Sequence, residues 1–336
     1  MTMTETLRPA PRPRRPSWLD QGVSVLNGFL GDYLTETENG LDIEMAFYHE
    51  NAALALDGAA IRAAYPNASS KLCVLAHGLA SHEGIWSFRD SAPAAELVSY
   101  GTLLQADFGY TPFYLRYNTG RPVYHNGQQF AALLDKLLAV YPVPVEDIVL
   151  IGHSMGGLVI RSACHYGELY QYDWVARVTR IFYLGTPHAG APLERLVSRT
   201  ARVLHAVPNP ITKVIGDVLN VRSRGIKDLG NGRLLDYETL EDPEEGWRSE
   251  ALKTPWLEHA QHYMAVGTLT ADPTHILGRA VGDALVLSAS ARGVAEAEAA
   301  AHHHFRVFPG VRHTRLAHDA AVYAQIKAWC EEAENE

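Results

Sequence analysis

Two rhythms of apolar residues run along the chain. Short, nearly continuous apolar runs rich in β-branched side chains occupy residues 71–76, 113–117, 147–151, 180–184, 263–267 and 305–308, the pattern of strands buried on both faces. Residues 41–48 instead alternate apolar and polar and read as an edge strand. Between these runs the period lengthens to that of a helix. Residues 128–140 set Phe130, Leu133, Leu134, Leu137 and Leu138 on one face, and residues 320–330 close the chain with Val322, Ile326 and Trp329. Alternation of this kind predicts an α/β fold with a mostly parallel central sheet flanked by helices.

One connection breaks the pattern. Residues 185–262 separate two predicted strands where a few residues would serve, so a helical cap insertion is expected there. Inside it Leu193, Leu196, Val197, Ala201, Leu204 and Val207 form one helical stripe, and Ile211, Val214, Ile215, Val218 and Leu219 a second. Such a stripe serves equally to pack on the sheet or to line an acyl pocket, and the pattern is the same for both. The expected organisation is a disordered tail over 1–17, α/β core over 18–189, cap over 190–262 and core again over 263–336. The tail follows from Arg8, Arg12, Arg14 and Arg15 interleaved with Pro9, Pro11, Pro13 and Pro16.

Composition narrows the class. In a chain of 336 residues with 47% apolar content a large core is expected. The net charge is −9, and no basic cluster is interleaved with aromatics, which argues against a nucleic-acid partner. Asp20, Gln21, Asn27 and Asp32 interrupt residues 18–34, so a secretory leader is not expected. No apolar run reaches the ~20 residues of a membrane span. The expectation is a soluble, cytoplasmic protein. Cys73, Cys164 and Cys330 fall in a predicted strand and two predicted helices and are expected as buried free thiols. His302, His303 and His304 alternate faces on a strand and cannot converge on one ion, so no metal is expected.

The chemistry concentrates at Gly152-His153-Ser154-Met155-Gly156-Gly157, which follows a predicted strand and opens a helical run at 158–165. A bare G-x-S-x-G is a weak signal; in a strand-turn-helix setting it marks a nucleophile elbow. The turn forces Ser154 into strained backbone and requires near-absent side chains at Gly152 and Gly156. Met155 at the start of the helix offers one backbone amide to an oxyanion, and Leu79, in His77-Gly78-Leu79 behind the strand at 71–76, offers the other. His77 is expected to hold that loop through a hydrogen bond. In this fold the acid and then the base follow the nucleophile. Asp283 in Gly282-Asp283-Ala284-Leu285-Val286 is the favoured acid, with Asp272 in Thr270-Ala271-Asp272-Pro273 as the rival. His313, after the strand at 305–308 and the Pro309-Gly310 turn, is the favoured base, with His318 as the rival. Trp86, shortly after the oxyanion loop, is a candidate for lining the substrate pocket. The aromatic and polar residues Tyr110, Tyr114, Arg116, Tyr117 and Asn118 are expected to serve structure.

Several segments together resemble the bacterial esterase/lipase proteins similar to GPI inositol-deacylases. They are Leu75-Ala76-His77-Gly78-Leu79, Trp86, Asp107-Phe108-Gly109-Tyr110-Thr111-Pro112, Leu115-Arg116-Tyr117-Asn118-Thr119-Gly120, residues 151–157, Leu184-Gly185-Thr186-Pro187-His188-Ala189-Gly190, Gly225-Ile226-Lys227-Asp228-Leu229 and the stretch from Gly282-Asp283 to His313. The likeness spreads over most of residues 40–330. It implies an α/β-hydrolase fold and a Ser154, Asp283, His313 triad, though Ala284 stands where such families often carry a second glycine.

The expected function is hydrolysis of a small-molecule or lipid carboxylic ester through an acyl-enzyme, with no cofactor or metal required. The same triad could act on lactones, thioesters or polyesters. A non-catalytic binding protein is the alternative from another class, and a dehalogenase would want a carboxylate where Ser154 stands.

Overall fold

The computed structural model describes residues 23–24, 27–28, 42–89, 97–188, 234, 256–268 and 303–334. The tail, the two cap stripes, Asp272 and Asp283 lie outside the described residues. The central sheet contains β1 (Ala46–His49), β2 (Ala52–Ala53), β3 (Lys71–Ala76), β6 (Thr111–Arg116), β7 (Asp147–His153), β8 (Val178–Leu184), β9 (Gln261–Gly267) and β10 (His303–Phe308). A small antiparallel pair, β4 (Ser87–Arg89) and β5 (Leu97–Ser99), stands apart from it. The helices are α1 (Gly58–Ala64), α2 (Tyr100–Phe108), α3 (Val123–Val140), α4 (Met155–Leu169) and α5 (Ala320–Glu334).

Strand order in the sheet is β10-β9-β8-β7-β3-β6-β1-β2. From β6 to β10 every pairing is parallel; β1 joins β6 antiparallel and β2 turns back on β1. The strand expected at the edge is therefore second from it. Two residues of β2, too few to show a period, cover its outer side through the pairs Tyr48 with Ala53 and His49 with Ala52.

Period-two alternation divides the core into two layers. Leu72, Val74 and Ala76 of β3 join Ile148 and Leu150 of β7 on the face covered by Phe130, Leu134 and Leu137 of α3 and by Leu158 and Val159 of α4. Cys73, Leu75, Val149 and Ile151 point the other way, beneath Tyr100 and Leu104 of α2 and Val322, Ile326 and Trp329 of α5. Burial on both faces explains why these strands read as unbroken apolar runs. The three cysteines are free and buried. Among the described residues no helix is long and apolar enough to cross a membrane, and no cluster of three or more potential ligands could hold a metal ion.

Candidate active site

The parallel strands deliver their loops to one edge of the sheet, where open α/β sheets hold their ligands. Ser154 stands there between the end of β7 and the first residue of α4, with φ 54 and ψ −122. A positive φ at a serine costs on the order of 1–3 kcal/mol and persists only where the surroundings impose it. Here they do. The Ser154 amide donates to the Leu184 carbonyl on β8 at 2.9 Å, and the Ser154 carbonyl accepts from the Gly157 amide at 3.1 Å. A side chain at Gly156 would overlap the carbonyl oxygen of Ala76, so the start of α4 lies directly against the end of β3. Ser154 is 4% exposed.

The loop leaving β3 passes over the serine. A Cβ at Gly78 would fall 2.9 Å from Ser154 Cβ. The next amide, that of Leu79, and the amide of Met155 make no hydrogen bond among the described residues. Two uncommitted donors thus flank the serine, one of them at the positive end of α4.

Four contacts hold that loop. His77 Nδ1 donates to the Gly78 carbonyl at 3.0 Å. The Tyr117 hydroxyl donates to the His77 carbonyl at 2.7 Å, and its ring stacks on the His77 imidazole at 4.6 Å. Thr119 Oγ1 accepts from the Ala80 amide at 3.0 Å, where Ala80 itself has φ 53. Complete burial pushes the His77 imidazole down to about 3, so it is neutral and one ring nitrogen carries the donated proton. Further along, the 3-10 turn Glu83–Trp86 is capped by His82 Nδ1, which accepts from the Gly84 amide, and is tied to β6 by a two-pronged Glu83–Arg116 ion pair.

His313 opens the 3-10 turn His313–Ala317 after β10 and is 3% exposed. A Cβ at Gly185 would lie 2.9 Å from His313 Nδ1, next in the chain to the Leu184 carbonyl that holds the Ser154 amide. The structure therefore brings His313 and Ser154 to the same two strand ends. The His313 carbonyl accepts from His153 Nε2 at 3.0 Å, and the two imidazole rings stand 4.9 Å apart. Deeper in the same turn the Tyr100 hydroxyl donates to the Leu316 carbonyl and accepts from the Asp319 amide, both at 2.8 Å. His318 terminates the turn, its amide donating to the Arg315 carbonyl. Burial lowers its pKa and the neighbouring Ile85 backbone raises it.

Trp86, read from the sequence as a pocket-lining candidate, is 0% exposed and packs in the core against the rings of Tyr100 and His153. The sequence assigned a structural role to Arg116 but none to His153 or to Glu83, the partner of Arg116. The only available signal for His153 was its place next to the serine.

These features define an α/β-hydrolase-fold protein: parallel strands with helices on both faces, a strained serine on a strand-to-helix elbow, and a buried histidine after the last strand. Residues 118–223 match the PGAP1-like alpha/beta domain family, in keeping with the motifs. No curated protein matches the chain significantly. Among solved structures, the propeptide form of the lipase BlEst2 from Bacillus licheniformis aligns at 17% identity and a TM-score of 0.50 over 77% of this chain and 50% of its own, so this chain spans half of that protein's length. The mature form aligns at 17% identity and a TM-score of 0.48, covering 76% of this chain and 91% of that one. The Pyrococcus furiosus esterase Pf2001 aligns at 13% identity and a TM-score of 0.46, covering 79% and 83%. At 17% identity the likeness to the propeptide form speaks for the fold alone.

Proposed function

We propose that the protein is a serine-dependent carboxylic ester hydrolase with Ser154 as nucleophile, His313 as general base and Asp283 as the carboxylate that orients the base. The observation that carries this reading is the strained backbone of Ser154 beside the uncommitted amides of Leu79 and Met155. In the first step His313 takes the hydroxyl proton as Ser154 Oγ attacks the ester carbonyl. The Leu79 and Met155 amides receive the oxyanion, each contributing about 3 kcal/mol in the transition state. Collapse expels the alcohol, which takes its proton from His313 and leaves an acyl-serine. His313 then activates water, and the acid departs. The fold likeness to BlEst2, whose name describes a lipase, favours an ester as the substrate class.

The experiment is hydrolysis of p-nitrophenyl esters from acetate to palmitate by the wild type and by Ser154→Ala. Serine-dependent turnover is expected. A short-chain optimum would indicate an esterase with a tight pocket, and a long-chain optimum a lipase that holds acyl chains under its cap. Turnover retained in Ser154→Ala would overturn the assignment.

A further inference from the structure

We propose that His153 is a positioning residue of this reaction, holding the backbone of His313 in register with Ser154; the proposal rests on the hydrolase reading above. His153 is the last residue of β7 and the immediate neighbour of Ser154. Its side chain is wholly inside the protein, and Nε2 donates to the His313 carbonyl at 3.0 Å across 160 residues of chain. Nδ1 makes no hydrogen bond among the described residues, so this is the ring's one polar attachment. The imidazole stands 4.9 Å from that of His313 at an interplanar angle of 47°, and Trp86 meets it edge-on at 6.4 Å.

A single side chain thus joins the strand that carries the nucleophile to the turn that carries the base. If that bond is lost, the backbone of the first residue of the turn loses its tie to β7, while the Tyr100 hydroxyl still holds the turn three residues later at Leu316. The ring of His313 would then shift relative to Ser154 without loss of the turn. Displacements of about 1 Å between reacting groups cost on the order of 100-fold in rate. Filling the core would not by itself require a histidine here, because any apolar side chain of that volume would serve. The hydrogen bond is what distinguishes the two roles. Burial, reinforced by the neighbouring His313, His318 and His77 rings, holds the His153 imidazole neutral well below the usual histidine range. It therefore adds no positive charge beside His313 when His313 carries the serine proton.

The test compares wild type, Ser154→Ala, His153→Met and His153→Gln in kcat, KM and the pH profile of p-nitrophenyl butyrate hydrolysis. Met and Gln are equal in length, and only Gln can donate to the His313 carbonyl. Expected for His153→Met is a kcat lowered about 10- to 100-fold, a KM within about twofold of wild type, and a displaced acid limb of the kcat/KM profile. His153→Gln should recover most of the loss. His153→Phe keeps a ring without the donor and provides a second donor-free variant should Met fail to fold. Serine-dependent wild-type turnover together with donor-free variants at wild-type kcat would overturn the positioning role and leave the hydrolase reading intact. A folded Gln variant as impaired as the donor-free ones would also overturn it. A wild type with neither turnover nor fluorophosphonate labelling at Ser154 would overturn the hydrolase reading, and this proposal with it.

Discussion

The Tyr117 hydroxyl donates to the His77 carbonyl while its ring lies flat on the His77 imidazole, so one side chain from the end of β6 fixes both the backbone and the ring at the start of the loop over Ser154. Tyr117→Phe keeps the stack and removes only the donor. A buried carbonyl left without a partner costs about 1–3 kcal/mol, and here the loss falls on the segment that carries the Leu79 amide. We expect a kcat for p-nitrophenyl esters lowered about tenfold at nearly constant KM, since an oxyanion donor acts in the transition state and not on the bound ester. Steady-state kinetics of the folded variant checks this; a rise in KM alone would mean that the loop binds substrate instead.

The strain at Ser154 should be measurable as stability. Glycine adopts a positive φ freely, and the relief of about 1–3 kcal/mol exceeds the roughly 0.5–1 kcal/mol that glycine's extra chain entropy costs. Ser154→Gly should therefore abolish turnover and raise the stability by about 1 kcal/mol over wild type. Urea unfolding with an unchanged slope would report it, and a variant less stable than wild type would show that the serine side chain is itself a stabilising contact.

How much of this site was legible depended on the range of the interactions. The β3 and β7 segments stand out as strands because both faces are buried, and the elbow stands out because its glycines, its serine and its flanking elements are contiguous in the chain. Helix α3 begins at Val123, after Pro122 in the N-cap position, earlier than the apolar stripe that predicted it, since of the residues it buries before Phe130 (Val123, Asn126 and Gly127) only Val123 carries an apolar side chain. Helix α1 went unread because it is a seven-residue segment with one fully buried side chain, Ile61, and is specified chiefly by Asp57, whose carboxylate accepts from the Ala59 and Ala60 amides. His153 and Tyr117 could not be assigned partners from sequence. Both bond to backbone carbonyls, and a carbonyl leaves no residue-type signature at the distant position that supplies it.

Acid should destabilise the protein through its neutral buried histidines. His77 titrates at about 3 in the folded protein and near 6.5 once unfolded. Between those values the unfolded chain binds the extra proton, so stability rises with pH across the window and levels off above about 6.5. The slope is about 1.4 kcal/mol per pH unit for each such histidine, and His153 adds to it in the same direction. His77→Asn, whose amide can still donate to the Gly78 carbonyl, removes one contribution. Its loss of stability between pH 7 and pH 5 should be about 2 kcal/mol smaller than that of wild type by urea denaturation. Equal losses would mean that His77 is protonated in the folded state.

The Glu83–Arg116 pair should behave as a buried ion pair whose partners depend on each other. Arg116 Nε donates to Glu83 Oε2 at 2.6 Å and its terminal nitrogen to Oε1, while the guanidinium lies 4.0 Å over the Tyr48 ring. Both residues are buried, at 7% and 3% exposure for Arg116 and Glu83. Arg116→Met leaves the Glu83 carboxylate without its counter-charge, and Glu83→Leu removes the carboxylate from the buried guanidinium; each should cost about 3–5 kcal/mol. The double variant Glu83→Leu with Arg116→Met removes both charges and puts apolar volume in their place, so it should lose far less than the sum of the two. A double-mutant cycle from urea unfolding measures the coupling directly. Additive losses would show that each group is stabilised by separate neighbours, and that the turn from Glu83 to Trp86 is anchored to β6 by packing alone.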